Sequence, residues 1–218
     1  MGAACAQVGA GGLWETLGVP PLFMERVQRG LMKKAFIVLV VSLIALPGSA
    51  SVAGQASANN PQEKESISSI RERYAAVNKN LSKYRVVKKE LSGFSTEGGE
   101  LVVYFDGASV VKIAATHLGE TGRSLEEFYY RDGELVFVFY RRETYDAPMS
   151  GKVSKRADER FYFADGRLIR WLDNRGRAVA PGRGEYREAQ ARYLDGSRRF
   201  VEGARSSNST IEAPEPSP

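Results

Sequence analysis

Residues 125–140, LEEFYYRDGELVFVFY, read as a β-hairpin folded about Asp132-Gly133. Asp-Gly between two aromatic and β-branched runs marks a two-residue type I′ turn, which requires φ > 0 at both central positions. Strict alternation away from that turn sets Arg131 opposite Glu134, Tyr130 opposite Leu135, Tyr129 opposite Val136 and Phe128 opposite Phe137. The pairing is chemically consistent, since an opposite-charge pair and facing aromatics each contribute about 0.2 to 1 kcal/mol.

The same pattern recurs on either side. Leu101 to Phe105 turns at Asp106-Gly107 into Val110 to Ile113, and Arg160 to Phe163 turns at Asp165-Gly166 into Leu168 to Leu172. Three such hairpins in series predict an antiparallel meander of about six strands. Both strand faces are apolar, with Phe128, Tyr130, Leu135 and Phe137 on one and Tyr129, Val136 and Val138 on the other. A sheet of this kind must be covered twice, twist strongly or close partly on itself.

Cover comes from two amphipathic segments. Ile67, Ile70, Tyr74, Val77, Leu81 and Tyr84 recur at spacings of three and four, as one helix face requires. The end of this helix is open, because Tyr84 to Lys88 suits a strand equally, and Ser92-Gly93 ends either element. Near the C-terminus, Pro181-Gly182 precede a helix whose inner side carries Tyr186, Ala189, Tyr193, Phe200 and Ala204, with Gly196 a point of division. This last helix serves either as sheet cover or as a dimer element. The fold class is therefore α+β: an N-terminal amphipathic helix, a hairpin meander and a C-terminal helix. Arg141 to Ala157, with Pro148 and Gly151, reads as a long exposed loop.

Residues 32–58 have the build of a secretory signal peptide: Met32-Lys33-Lys34, an apolar run from Ala35 to Leu46, then small residues. Cleavage after Ala58 or after Ala50 satisfies the small-x-small rule. The apolar run stops at Pro47, short of the roughly 20 residues that span a bilayer, which makes a retained anchor the weaker alternative. Residues 1–31 precede a complete signal and read as an upstream extension, with Met32 the natural initiator. The remaining boundaries are a flexible stretch 59–66, a single domain 67–205, and a Pro-containing, aromatic-free tail 206–218 read as disordered.

The 218 residues carry 31 Lys and Arg against 26 Asp and Glu; four of the former and two of the latter precede Asn59, leaving 27 against 24. A net +3 on the domain is too mild for a nucleic-acid partner. The single cysteine, Cys5, excludes an intramolecular disulfide, and nothing in the chain calls for a cofactor. After signal cleavage no stretch suits stable membrane insertion. The expected location is periplasmic or secreted.

Candidate chemistry is sparse. His117 is the one histidine, read as lying in a loop, and there is no thiol in the domain to pair with it, nor Cys or His spacing for a metal. Two Gly-flanked acidic turns, Thr96 to Glu100 and Gly119 to Arg123, fall at one end of the first hairpin, so Glu97, Glu100, Glu120 and His117 form one candidate binding cluster; flexible carboxylate loops suit cations or basic groups. The competing explanation is that the glycines serve turn geometry and the glutamates are solvated. Tyr129, Tyr162 and Trp171, on one expected face near Arg160 and Arg170, form a second candidate, a platform for a sugar or peptide; core packing under a helix is the alternative.

The segments Ser95 to Glu100, Gly119 to Gly122, Phe128 to Gly133, Arg160 to Phe163 and Leu168 to Asp173 together resemble a group of uncharacterised exported bacterial proteins. The resemblance spans Ile67 to Asp173 and implies export and an α+β fold, with no catalytic residues. The Tyr-x-Asp-Gly hairpins are also loosely similar to MORN-type repeats, without their constant period. The expected function is a non-catalytic exported binding module for a protein or an envelope polymer. The alternative is a hydrolase of envelope or extracellular polymer acting through carboxylates such as Glu97, Glu120 and Glu126, which requires two carboxyls facing a cleft with one raised in pKa. A stand-alone structural domain is the third possibility.

Overall fold

The computed structural model describes residues 61–214; the signal-like segment and the extension before it lie outside the described residues. Helix α1 (Pro61–Lys79) starts within the stretch expected to be flexible. Proline suits the first helical position, where its missing N–H has no intrahelical role, and Glu63 in the first turn and Lys79 in the last complement the helix dipole. A short 3-10 turn, Leu81–Lys83, then leads into β1 (Arg85–Ser92), so Tyr84 to Lys88 belongs to a strand and not to the helix.

Six more strands follow in hairpin order: β2 (Gly99–Asp106), β3 (Ser109–Gly119), β4 (Gly122–Arg131), β5 (Glu134–Tyr145), β6 (Val153–Ala164) and β7 (Arg167–Leu172). Helix α2 (Gly184–Arg205) crosses back over the sheet, and β8 (Thr210–Glu212) joins it beside β1. The sheet order is β7-β6-β5-β4-β3-β2-β1-β8, antiparallel except for the parallel β1–β8 pair. The expected six strands are thus seven in the meander plus an eighth. The sheet is open, since β7 and β8 are its two ends and not partners.

Two expectations for irregular segments give way. The loop expected from Arg141 to Ala157 is mostly β5 and β6, which leave only 146–152 between them. The tail expected to be disordered from 206 contains β8, because Ile211 finds an apolar seat against α2 (7 % exposed) and its neighbours find free hydrogen-bonding groups on β1. Glu90 N–H donates to Ser209 O at 2.9 Å and Ala213 N–H to Ser92 O at 2.8 Å.

Asp132 and Gly133 have φ of 51° and 85°, and Asp165 and Gly166 50° and 68°, the signature of type I′ turns. The first hairpin is shifted by one: Asp106 pairs with Ser109, so the turn is Gly107-Ala108 with positive φ at Gly107 alone. Each hairpin then carries a bulge at the third residue after its turn. Tyr130 faces Leu135 but Tyr129 faces Phe137, leaving Val136 extra; Val111 and Ile169 are extra in the same way. A bulge places two residues against one and reverses the parity of everything beyond it. Phe128 accordingly faces Val138, and Phe137 moves to the face opposite the expected one.

The corrected parity explains the two cores. On one face Phe128, Tyr130, Leu135, Val138, Phe161 and Phe163 pack under α2. Tyr193 inserts between Phe161 and Phe128, with ring centroids at 4.4 and 6.1 Å, and Phe200 meets Phe128 at 5.6 Å. The helix runs unbroken through Gly196. On the other face Tyr129, Val136, Phe137 and Tyr162 pack against Ile67, Ile70 and Val77 of α1. At about 1.5 to 3 kcal/mol for each fully buried large apolar side chain, both covers contribute to one folded unit.

Candidate functional site

The α1 side of the sheet is built in cross-strand rows. Register places Lys112, Tyr129, Phe137, Tyr162 and Arg170 in one row, Ala114, Glu127, Phe139, Arg160 and Leu172 in the next, then Thr116, Leu125, Arg141 and Asp158, and finally Arg123, Glu143 and Arg156. Beside α1, the first two rows open into a groove of about 440 Å³ lined by Ile70, Arg71, Tyr74, Phe137, Phe139, Arg160, Tyr162 and Leu172. That size is within the usual range for ligand sites, as is an apolar and aromatic lining with a few polar groups.

Its floor is fixed by ring packing: Phe137 lies 5.0 Å from Tyr162 and 5.4 Å, edge-on, from Tyr74. Arg71 on α1 and Arg160 on β6 stand on its walls. Arg71 Cζ is 5.9 Å from the Tyr162 ring centre, and Arg160 Cζ is 5.7 Å from that of Phe139. Both guanidiniums are oriented by aromatic rings. Among the described residues neither has a carboxylate within 4 Å.

Two flanking arginines are neutralised. Arg141 binds Asp158 through two parallel hydrogen bonds of 2.8 and 2.9 Å, and Arg170 binds Glu63 of α1 at 2.9 Å. The guanidinium of Arg141 holds the Asp158 carboxyl below the usual carboxylate range. The groove therefore sets two guanidiniums that lack a salt-bridge partner among the described residues over an apolar floor, with Asp158 acting on Arg160 only at longer range.

The expected aromatic platform is not one. Tyr129 is wholly buried, and its hydroxyl donates to Glu127 Oε2 at 2.8 Å and accepts from Asn78 Nδ2 at 3.0 Å. Lys112 closes that network, donating to Glu127 and Asn78 at 2.7 and 3.0 Å. Burial, then the Glu127 charge, pushes the Tyr129 phenol far up. Tyr162 shares the face of Tyr129, but Trp171 is on the α2 face, stacked 5.2 Å from Phe161 with Nε1 donating to Glu159 at 2.8 Å. The cause is the bulge at Ile169, which inverts the parity of β7.

The acidic cluster is also divided. Glu97 and Glu120 are exposed at the same sheet end, in turns on either side of the Leu118–Gly119 strand end. Glu100 lies on the α1 side and meets Lys88 at 3.0 Å. His117 is within β3 and not in a loop, on the α2 side, where Phe94 lies 6.1 Å from its ring and Glu126 Oε2 3.8 Å from its Nε2. Alternation of Glu100-opposed Thr116 with His117 sends them to opposite faces. Among the described residues no three His, Cys, Asp or Glu side chains converge as a metal site.

Burial alone would raise the Glu126 carboxyl, but His117 and Arg192, the latter 3.6 Å away, outweigh it and hold the group low. Glu143, Asp146, Asp158 and Asp173 are likewise held low. In the alternative hydrolase reading, Glu126 as general acid would need the opposite shift.

Sequence reasoning found Tyr162 and noted Arg160 but missed Arg71, Tyr74, Phe137, Phe139 and Leu172 as a group. A signal was available in Arg71, which is three residues from Tyr74 on the helix and thus flanks its apolar stripe. Among the described residues no helix is long and apolar enough to cross a membrane. No family model matches the chain, and neither a curated protein nor a solved structure matches it.

Proposed function

We propose that this chain is an exported, non-catalytic binding domain whose α1-side groove holds an anionic, partly apolar portion of an envelope partner. Export rests on the signal-like segment 32–58 and on the resemblance to exported bacterial proteins. The binding reading rests on one observation: Arg71 and Arg160 face a groove of about 440 Å³ without a carboxylate partner among the described residues, while their neighbours Arg141 and Arg170 are paired. An unpaired guanidinium keeps all its donors for a ligand and matches carboxylates and phosphates in two-point fashion.

The test is calorimetric titration of the purified protein with matched charged and neutral ligands, galacturonate oligomers against galactose oligomers and oligoglutamate against oligoglutamine. Binding of at least one charged member, with a tenfold or greater loss in R71A/R160A, is expected. Equal binding of the neutral members, or an unchanged double variant, overturns the proposal.

A further inference from the structure

The groove does not end where α1 ends. Along β5, Phe137, Phe139, Arg141 and Glu143 all face the α1 side, because their partners Tyr162, Arg160, Asp158 and Arg156 succeed one another directly on β6. Next to the groove lies a second depression of about 380 Å³, lined by Thr116, Arg123, Leu125, Arg141, Glu143 and Arg156. Arg141 joins the two, lining the second while its Cζ lies 5.0 Å from the ring of Phe139 in the first. Glu143 stands six positions along the strand from Phe137, so the tract is about 20 Å long.

Its charge is positive but mixed. Arg71, Arg160, Arg141, Arg123 and Arg156 face Glu143 and Asp158, and Glu143 is shared by Arg123 at 2.7 Å and Arg156 at 2.7 Å. Apolar surface from Tyr74, Phe139 and Leu125 is interspersed with these groups. A nucleic acid is disfavoured by the mild balance of the whole domain, 27 Lys and Arg against 24 Asp and Glu after residue 58. An extended peptide of the strand-adding kind needs a free sheet edge, and β5 is central. A chain of sugar rings bearing carboxylates matches all three components: arginines for the carboxylates, carboxylate acceptors for ring hydroxyls, and apolar patches for ring faces.

We infer that the ligand is an acidic polysaccharide lying along β5 across both depressions, a specification that rests on the groove being the binding site. The groove holds one uronate-like unit at Arg71 and Arg160, and the second depression holds another at Arg123 and Arg156, two half-exposed guanidiniums that share the single Glu143 carboxylate and so keep one positive charge and free donors between them.

The experiment compares di- and octagalacturonate, octaglutamate and an octathymidylate on the purified protein, R71A/R160A and R156A. R156A leaves Glu143 paired with Arg123, so the buried carboxylate keeps a partner. The expected result is that octagalacturonate binds at least tenfold more tightly than the dimer, that R156A removes this gain without changing dimer affinity, and that R71A/R160A weakens both. Equal affinity for the two lengths, with the dimer still sensitive to R71A/R160A, overturns the tract and leaves the groove standing. Octaglutamate or octathymidylate binding as tightly as octagalacturonate overturns the polysaccharide assignment. Dimer binding that R71A/R160A does not affect overturns the groove itself, as does the failure of every probe to bind.

Discussion

Replacing Lys89 by Met should release β8 from the sheet. Lys89 is only 6 % exposed, and its ammonium donates to Ser206 O at 2.8 Å and to Asn208 O. Ser206 caps the C-terminus of α2, where the helix dipole favours a cation. Methionine keeps most of the stem volume and removes the charge. Each hydrogen bond to a charged group contributes about 1.5 to 3 kcal/mol net, and relief from burying an ammonium offsets part of the two. A net loss of about 2 kcal/mol follows, concentrated on a three-residue strand that is otherwise held by its parallel ladder to β1, the Ile211 side chain and two flanking backbone bonds. Native-state hydrogen exchange at the Ala213 amide, which is bonded to Ser92 O, reads this directly. Exchange about 30-fold faster than in the parent protein corresponds to 2 kcal/mol, while amides of β4 and β5 change far less. Protection at Ala213 within threefold of the parent would refute the reasoning.

Gly203→Ala should lower the melting temperature although alanine is the better helix former, because the new Cβ would fall 2.4 Å from Ile211 Cδ1 and 2.8 Å from Cγ1; overpacking costs about 1 to 3 kcal/mol, G203A/I211V, which removes that Cδ1, should recover part of the loss, and a higher melting temperature for G203A alone would contradict the packing. Acid should destabilise the fold: hydrogen bonds from Arg123 and Arg156 hold Glu143 low and those from Arg141 hold Asp158 low, so their contribution is complete above the unfolded values of about 4 and is lost as pH falls through the lower folded values. The urea midpoint should therefore drop as pH falls below the unfolded values of about 4, with a shallower drop in E143Q/D158N; an identical acid limb in both proteins would count against these pairs. Deleting Val136 removes the bulge that seats Phe137 under α1 and Val138 under α2; loss of the near-ultraviolet dichroism of the packed aromatics is expected, and a native spectrum would show that the bulge is dispensable.

How far the sequence could be read depends on whether the information is local. Asp132-Gly133 and Asp165-Gly166 announce their turns because few residues accept positive φ. Spacings of three and four announce two helix faces, of which Ile67, Ile70, Val77, Tyr186, Tyr193, Phe200 and Ala204 are buried, while Tyr74 stays exposed, Ala189 is half-buried, and Leu81 and Tyr84 fall beyond α1. The bulges were illegible: Val136, Val111 and Ile169 are ordinary strand residues, and their extra position is set by how the sheet must twist to meet both helices. That one missing residue count per hairpin misplaced Phe137 and Trp171 and concealed the groove. Strand β8 was hidden for a different reason. Its three residues gain stability only from Lys89, Gly203 and β1, all distant in sequence. The pairing state of Arg71 and Arg160 is likewise a property of register and of α1's placement, which no short window of sequence contains.

If the groove between α1 and strands β5 to β7 is a ligand site, an anionic ligand should perturb its two unpaired arginines. An amide and guanidinium NMR titration of the 15N-labelled protein with digalacturonate tests it most directly. The account predicts saturable shifts of the Arg71 and Arg160 side-chain signals and of amides near Tyr74, Phe139 and Leu172, with His117 and the α2 face undisturbed. Shifts confined to the exposed turns at Glu97 and Glu120, or none at Arg71 and Arg160, would contradict it.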